Sequence, residues 1–161
     1  MFIARVGSEL FAQTFAAVNT PEDLGAYLAI AFNEPRQTQE LNDPNMRTWI
    51  AESDDGSPAG FVQVRLGAAM PTRALPRPAE LARIYVDARW HGAGVGPRLL
   101  QQCVDAAAAW GATHLWLGVW KENQRGIAFY GKHGFRVAGE QTFQVGADTQ
   151  HDWIMLRDLA G

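Results

Sequence analysis

Residues 91 to 96, His91-Gly92-Ala93-Gly94-Val95-Gly96, place three glycines in five positions, shortly after the apolar run Ile84-Tyr85-Val86. They also open a stretch in which Val95, Leu99, Leu100, Cys103, Val104 and Ala107 recur at helical spacing. A glycine-rich turn at a helix N-terminus exposes backbone N–H groups and the positive end of the helix dipole, and the missing side chains let an anion approach closely. The chemistry such a turn would do is phosphate binding; three glycines alone would serve a plain tight turn as well, and the residues around them carry the specificity. The turn is not a nucleotide-hydrolysing P-loop, because no Gly-Lys-Ser/Thr closes it and no lysine stands where a terminal phosphate would need one. Nor does it fit a dinucleotide-binding unit, which needs a parallel sheet beginning near the first glycine loop and an acidic residue ending a following strand.

The elements that must position this turn are legible on both sides of it. Ile3, Val6, Leu10, Phe11 and Phe15 predict an amphipathic helix over residues 2–15. Thr20-Pro21-Glu22-Asp23 reads as the start of a second helix, with Thr20 as N-cap, Pro21 in the first helical position and Asp23 placed to answer the cap. Residues 33–45 are polar and weakly periodic, with a short helix open at 37–41. Residues 48–52 and 60–66 flank Asp54-Asp55-Gly56 as two antiparallel strands around a turn. The prolines of residues 70–78 mark a loop, and 81–86 reads as the next strand. Gly111 is placed to end the helix over 94–110, a buried strand follows at 114–120, and a short helix at 123–133 can close on Gly134. Strands at 135–137 and 153–156 come last, with part of 139–152 free to pair as well. The order predicts one α+β domain over residues 1–161, antiparallel strands first and a strand-helix-strand crossover in the middle.

Composition narrows the function classes. A chain of 161 residues with 47% hydrophobic content can build one core of ordinary size. A net charge of -3 argues against a general nucleic-acid binder and mildly favours a cationic partner. The single cysteine, Cys103, cannot form an intrachain disulfide, and its place on an apolar helix face reads as a small buried hydrophobe rather than a nucleophile. No charged-then-apolar leader opens the sequence and no apolar stretch reaches the roughly 18 residues of a membrane span, so a soluble, cytoplasmic protein is expected. The four histidines show no metal-ligand spacing; His114, His133 and His151 read as surface or packing residues and no metal is expected.

Taken together, Glu80-Leu81-Ala82-Arg83-Ile84-Tyr85-Val86, the glycine turn, and residues 123–135 from Asn123 to Phe135 resemble the GNAT N-acetyltransferases. The resemblance implies their fold, a mainly antiparallel central sheet between layers of helices, splayed where the 81–86 strand parts from Leu115 to Trp120, with acetyl-CoA in the splay. It implies backbone pairing of Ile84, Tyr85 and Val86 with the pantetheine arm, and a pyrophosphate on His91, Gly92, Ala93, Gly94, Val95 and Gly96. The family's turn opens with Gln or Arg where this chain has His91, a mild departure because backbone amides do most of the binding. Asn123 would touch the cofactor arm. Tyr130 would stand near the thioester sulfur as general acid, able to protonate the leaving thiolate, unless it is simply a core aromatic. The acceptor amine, with a pKa of about 10, must lose a proton before it attacks; Glu80 is the candidate base, the plain alternative being an ion-paired residue at a strand edge.

A narrower resemblance, to the PaiA-type polyamine acetyltransferases, runs through Thr14-Phe15, Asn19 to Asp23, Tyr27-Leu28, Ala31-Phe32-Asn33 and Leu115 to Trp120. It implies spermidine or spermine as acceptors, with Glu22, Asp23, Glu34 and Glu40 near the substrate groove or serving only as solvated helix residues. Those families usually begin with a strand before the first helix; this sequence is expected to start inside that helix, either because its reading frame starts late or because the sheet tolerates a missing edge strand. Members often pair through their sheets, and the six tryptophans allow a homodimer. The competing functions are acetylation of a protein or peptide amine, and a non-catalytic acetyl-CoA sensor.

Overall fold

The computed structural model describes residues 2–17 and 19–159. Its elements follow in the order α1 (Phe2–Phe15), α2 (Pro21–Ala31), α3 (Glu34–Asn42), β1 (Met46–Glu52), β2 (Pro58–Leu66), β3 (Pro78–Val86), α4 (Val95–Trp110), β4 (His114–Trp120), α5 (Gln124–Lys132), β5 (Arg136–Val145) and β6 (Asp148–Asp158). A 3-10 turn, Ala88–Trp90, links β3 to the glycine turn. The strands form one sheet in the order β1-β2-β3-β4-β6-β5. Only β3 and β4 pair in parallel; the other neighbours run antiparallel. This is the mainly antiparallel α+β sheet expected from the sequence. Among the described residues no strand precedes α1.

Each face of the sheet is covered by the helix whose apolar stripe fits it. On one face α4 lays Leu99, Leu100, Cys103, Val104 and Ala107 against Val62, Val64, Leu81, Leu115 and Leu117. On the other, Ile3, Val6, Leu10 and Phe11 of α1 and Leu24 and Ala31 of α2 close over Phe61 and Phe32. Each of these large side chains, removed from water, contributes roughly 1.5–3 kcal/mol.

Two elements differ from expectation for identifiable reasons. The uncertain segment is a full helix, α3, with Asn33 as N-cap accepting from the Arg36 N–H at 2.7 Å. Its buried residues are Gln37 and Glu40, so its inward face carries no apolar period. The strands at 135–137 and 153–156 are parts of a long hairpin, β5–β6, turning at Gly146-Ala147 with Val145 opposite Asp148. Asp23, expected to answer the Thr20 cap, instead accepts from the Ala147 N–H at 2.8 Å and ties α2 to that turn, while its own N–H does bond Thr20 Oγ1. Thr20 and Pro21 hold the roles expected of them.

Candidate active site

The site begins where two strands separate. β3 and β4 start side by side, Pro78 opposite His114, Ala79 opposite Leu115 and Glu80 opposite Trp116. Beyond Glu80 they part, β3 staying with β2 as far as Val86 and β4 staying with β6 as far as Trp120. Backbone N–H and C=O groups on the facing edges of 81–86 and 117–120 are therefore left without a strand partner, and such groups demand one. The parting coincides with a bulge. Gln63 faces Arg83 while Val64 faces Leu81, so Ala82 has no partner on β2 and the strand bends there.

A cavity of about 1110 Å³ fills the split. Ile84, Tyr85, Val86, His91, Gly92, Gly94, Val95, Gly96, Asn123, Tyr130 and Glu80 all line it. Ala93 does not; its N–H is held by the Trp90 carbonyl within the turn.

At the mouth of the split the chain leaves bare donors. Gly94 is the N-cap of α4, with φ 85 and no side-chain cap, and no acidic residue occupies the first turn. Pro97 has no N–H, so the free amides of that turn are those of Val95 and Gly96. A Cβ added at Gly92 or Gly94 would meet nothing within 4 Å, so both open onto free space rather than packed protein. His91 Nε2 lies 2.9 Å from the Val86 carbonyl and must donate to it, fastening the turn to the end of β3. Arg125 and Lys132 of α5 line the same cavity and have no ion-pair partner among the described residues. The turn, the dipole and two cations together suit a multiply charged phosphate group.

Asn123 caps α5, its Oδ1 accepting from the Gly126 N–H at 2.9 Å. Tyr130, on the same helix, stacks its ring edge to face with Phe129 and Phe135 at centroid distances of 5.4 and 5.8 Å. Its ring packs against the core as the plain reading supposed, yet the residue is only half-buried and reaches the cavity. Burial raises the Tyr130 phenol above its ordinary range, with the neighbouring Cys103 adding to the effect, so it keeps its proton at neutral pH. Burial also pushes the Cys103 thiol up to about 12, which leaves it without thiolate character.

Glu80 faces the cavity with its carboxylate bound to Arg65 Nη1 at 2.7 Å. Glu40 is held by Arg83 and by Arg36 Nε at 3.0 Å, and Arg83 reaches both Glu40 Oε2, at 2.6 Å, and Gln63 Oε1, at 2.7 Å. Burial pushes the Glu40 carboxyl up, but the hydrogen bonds and charges of Arg83 and then Arg36 outweigh it and leave it below the usual range. None of Glu22, Asp23, Glu34 or Glu40 lines the cavity.

The α1/α2 side of the split was not visible as a site in the sequence. Tyr27 and Phe143, Phe11 and Phe15, Tyr85 and Trp120 form an aromatic wall, with Tyr27 and Phe11 stacked at 4.4 Å and Phe15 edge-on to Trp120 at 6.4 Å. Asp152 of β6 opens into this space. No motif marks it, and only the pairing of β6 with β4 brings it opposite Trp120. Among the described residues, no cluster of three His, Cys, Asp or Glu side chains could share a metal ion.

A mixed sheet split between its two parallel strands, with a glycine turn and a bare helix N-terminus at the mouth, suits a long phosphate-bearing molecule laid between the strands. The Acetyltransferase (GNAT) family model matches residues 11–135. An uncharacterized N-acetyltransferase of Mycobacterium tuberculosis is 32% identical over 157 residues, 98% of this chain and 96% of its own. The crystal structure of the PaiA N-acetyltransferase from Thermoplasma acidophilum in complex with coenzyme A shares the fold with a TM-score of 0.77, at 20% identity, over 97% of this chain and 90% of that one. Nourseothricin acetyltransferase aligns with a TM-score of 0.62 and 31% identity over 73% of this chain and 67% of its own. The chain belongs to the GNAT acetyltransferase family, and is an acetyl-CoA-dependent N-acetyltransferase.

Proposed function

We propose that the protein transfers the acetyl group of acetyl-CoA to a primary amine of a small molecule by direct attack of the neutral amine. The observation that carries this reading is the parting of β3 from β4 after Glu80, beside a glycine turn that opens into free space. When bound, acetyl-CoA supplies an activated acetyl thioester. The amides of Val95 and Gly96, the turn from His91 to Gly94, and the cations Arg125 and Lys132 hold its phosphates. The split-facing edge of Ile84, Tyr85 and Val86, of which the Val86 carbonyl is already bonded by His91, orients the arm as an added strand would be oriented, with Asn123 at its other side. A backbone N–H near the Ala82 bulge is available to the carbonyl oxygen as negative charge develops there. Tyr130, protonated at working pH, gives its proton to the departing sulfur.

The first test is of the cradle. Valine at position 94 must adopt a left-handed backbone, which costs roughly 1–2 kcal/mol for a residue with a Cβ, and it fills the space a phosphate would take. Gly94→Val is expected to weaken acetyl-CoA binding by more than about 10-fold in isothermal titration. Unchanged affinity would remove residues 91–96 from the cofactor site.

Among acceptors, polyamines are the narrower proposal, supported by the sequence resemblance rather than by an acidic groove. Nourseothricin is the second, supported by the 31% identity to an enzyme named for it. Protein or peptide amines and a non-catalytic sensor are the remaining readings. Glu80 as base stays part of the proposal only if its bond to Arg65 opens. A cytoplasmic location and a homodimer, the latter checked by light scattering, go with this reading. Turnover of spermidine, nourseothricin, lysine peptides and aminoglycosides, followed by thiol release, separates them.

A further inference from the structure

Three carboxylates stand on or near the α1/α2 side of the split, and two of them are engaged by arginine: Glu80 by Arg65, Glu40 by Arg83 and Arg36. The third, Asp152, is 6% exposed and has no arginine or lysine partner among the described residues. The side-chain amide of Gln141, its register partner on β5, bonds its carboxylate. Between it and the split lies Gly118 of the neighbouring strand β4, and a Cβ there would stand 3.3 Å from Asp152 Oδ2 and 2.2 Å from Gln141 Nε2. The missing side chain at 118 is what leaves the carboxylate open toward the gap between β3 and β4.

We propose that Asp152 is the base of the acetyl transfer, its carboxylate receiving the proton of the attacking amine on the aromatic-walled side of the split sheet. This rests on the amine-acetylation reading above. Asp152 takes the proton that the nitrogen sheds as its bond to the acetyl carbon forms, and Tyr130 gives its proton to sulfur as the carbon–sulfur bond breaks. Asp152 then passes its proton to water, and Tyr130 regains one from water. The same carboxylate meets the ammonium form of the acceptor on arrival, with the rings of Tyr27, Trp120 and Phe143 around it, faces that attract a cation, and the ammonium sheds its first proton to water before the neutral amine attacks.

Burial raises the Asp152 carboxyl to about 6, against the hydrogen bond from Gln141 and the charge of its neighbour His151. A base with this value is ionised at neutral pH and takes up a proton more readily than an ordinary aspartate. Of the other titratable groups on this side of the sheet, Tyr85 of β3 lies within electrostatic reach of Asp152, and Tyr27 of α2 and Arg83 of β3 stand beside Tyr85 in the same cavity. Burial holds Tyr85 well above, and Tyr27 above, the ordinary phenol range, so both remain neutral through this window. Lys121 of β4 and Glu140 of β5 pair with each other at 2.9 Å beside Trp153, on the opposite face of the sheet.

The test compares wild type with Asp152→Asn on the best amine of the panel, as pH profiles of kcat/KM, together with acetyl-CoA titration and thermal melting. The wild type should show a break near pH 6, below which log kcat/KM falls one unit more steeply per pH unit than above it. The variant should lack that break and lose on the order of 100-fold in kcat/KM at neutral pH, with acetyl-CoA affinity kept. Because the folded-state value lies above that of the unfolded chain, the charge of Asp152 costs stability as pH rises from about 4 to about 6. The variant should therefore melt a few degrees higher than wild type at pH 7.5 and alike near pH 4. A variant that keeps its rate, or keeps the break, overturns the proposal. So does one that melts lower at pH 7.5 and loses rate equally at every pH, since that marks a structural residue. A wild type that acetylates no amine overturns both this proposal and the reading beneath it, whereas turnover unaffected by the change overturns this one alone.

Discussion

Tyr130→Phe is expected to lower kcat by on the order of 100-fold or more while leaving the acetyl-CoA dissociation constant within about a factor of two. The change removes one oxygen and keeps the ring between Phe129 and Phe135, so the packing of α5 on the core is preserved. What is lost is a phenol that burial keeps protonated, and hence the proton for a leaving thiolate whose conjugate acid has a pKa near that of an ordinary thiol, about 8.5. The raised value also places any loss of activity from Tyr130 ionisation above the ordinary phenol range, so a basic limb near pH 8 must come from another group. Steady-state kinetics beside calorimetric titration of acetyl-CoA measures both halves. A sensor that merely binds acetyl-CoA would show the affinity and have no turnover to lose; a general acid elsewhere would leave kcat unchanged.

The second large effect is on stability. Arg83 joins β3 to α3 through Glu40 and to β2 through Gln63, and its side chain is 10% exposed against 9% for Glu40. Removing Arg83 leaves the buried Glu40 carboxylate with Arg36 alone and Gln63 Oε1 without its donor, so Arg83→Met is expected to cost about 3 kcal/mol. For a chain of this length that lowers the thermal midpoint by on the order of 10 °C. Adding Glu40→Leu to it should restore most of the loss, because a paired charge and an apolar pair of similar volume are nearly equivalent inside a protein. The Glu40 carboxyl sits below its ordinary value, so its contribution is present above the unfolded-state value near 4.3 and fades as pH falls through the folded-state one. A midpoint shift under about 2 °C in the single variant would show the pair to be without structural weight.

The parts of this molecule that were legible beforehand are those whose sequence repeats with the period of their structure. α1 and α4 carry apolar stripes, Thr20-Pro21 and Gly111 sit at helix ends as their backbones require, and Gly92 and Gly94 take positive φ at the turn. The split of the sheet was expected from the family resemblance, and the pairing of β3 with β4 stops after three residues. α3 was obscured because it turns Gln37 and Glu40 inward to a polar network instead of an apolar core. The length of β5 was obscured because its inward positions alternate with exposed ones but carry Gly139 and Gln141 before Phe143 and Val145, so the apolar alternation is broken. Arg83 and Asp152 carry no local signal at all. Each owes its place to partners 43 positions away, Glu40, or to a strand order, β4-β6-β5, that only the folded sheet defines. The acids that the narrower resemblance suggested for a cationic substrate are bound to arginines, to a turn, or lie away from the cavity.

The most direct measurement is calorimetric titration of acetyl-CoA into the wild-type protein and into Gly94→Val, followed by thiol release with the amine panel. The split sheet predicts one acetyl-CoA per chain, weakened more than about 10-fold by the valine, and acetylation of at least one small amine by the wild type. Absence of acetyl-CoA binding to the wild type would contradict the account at its centre.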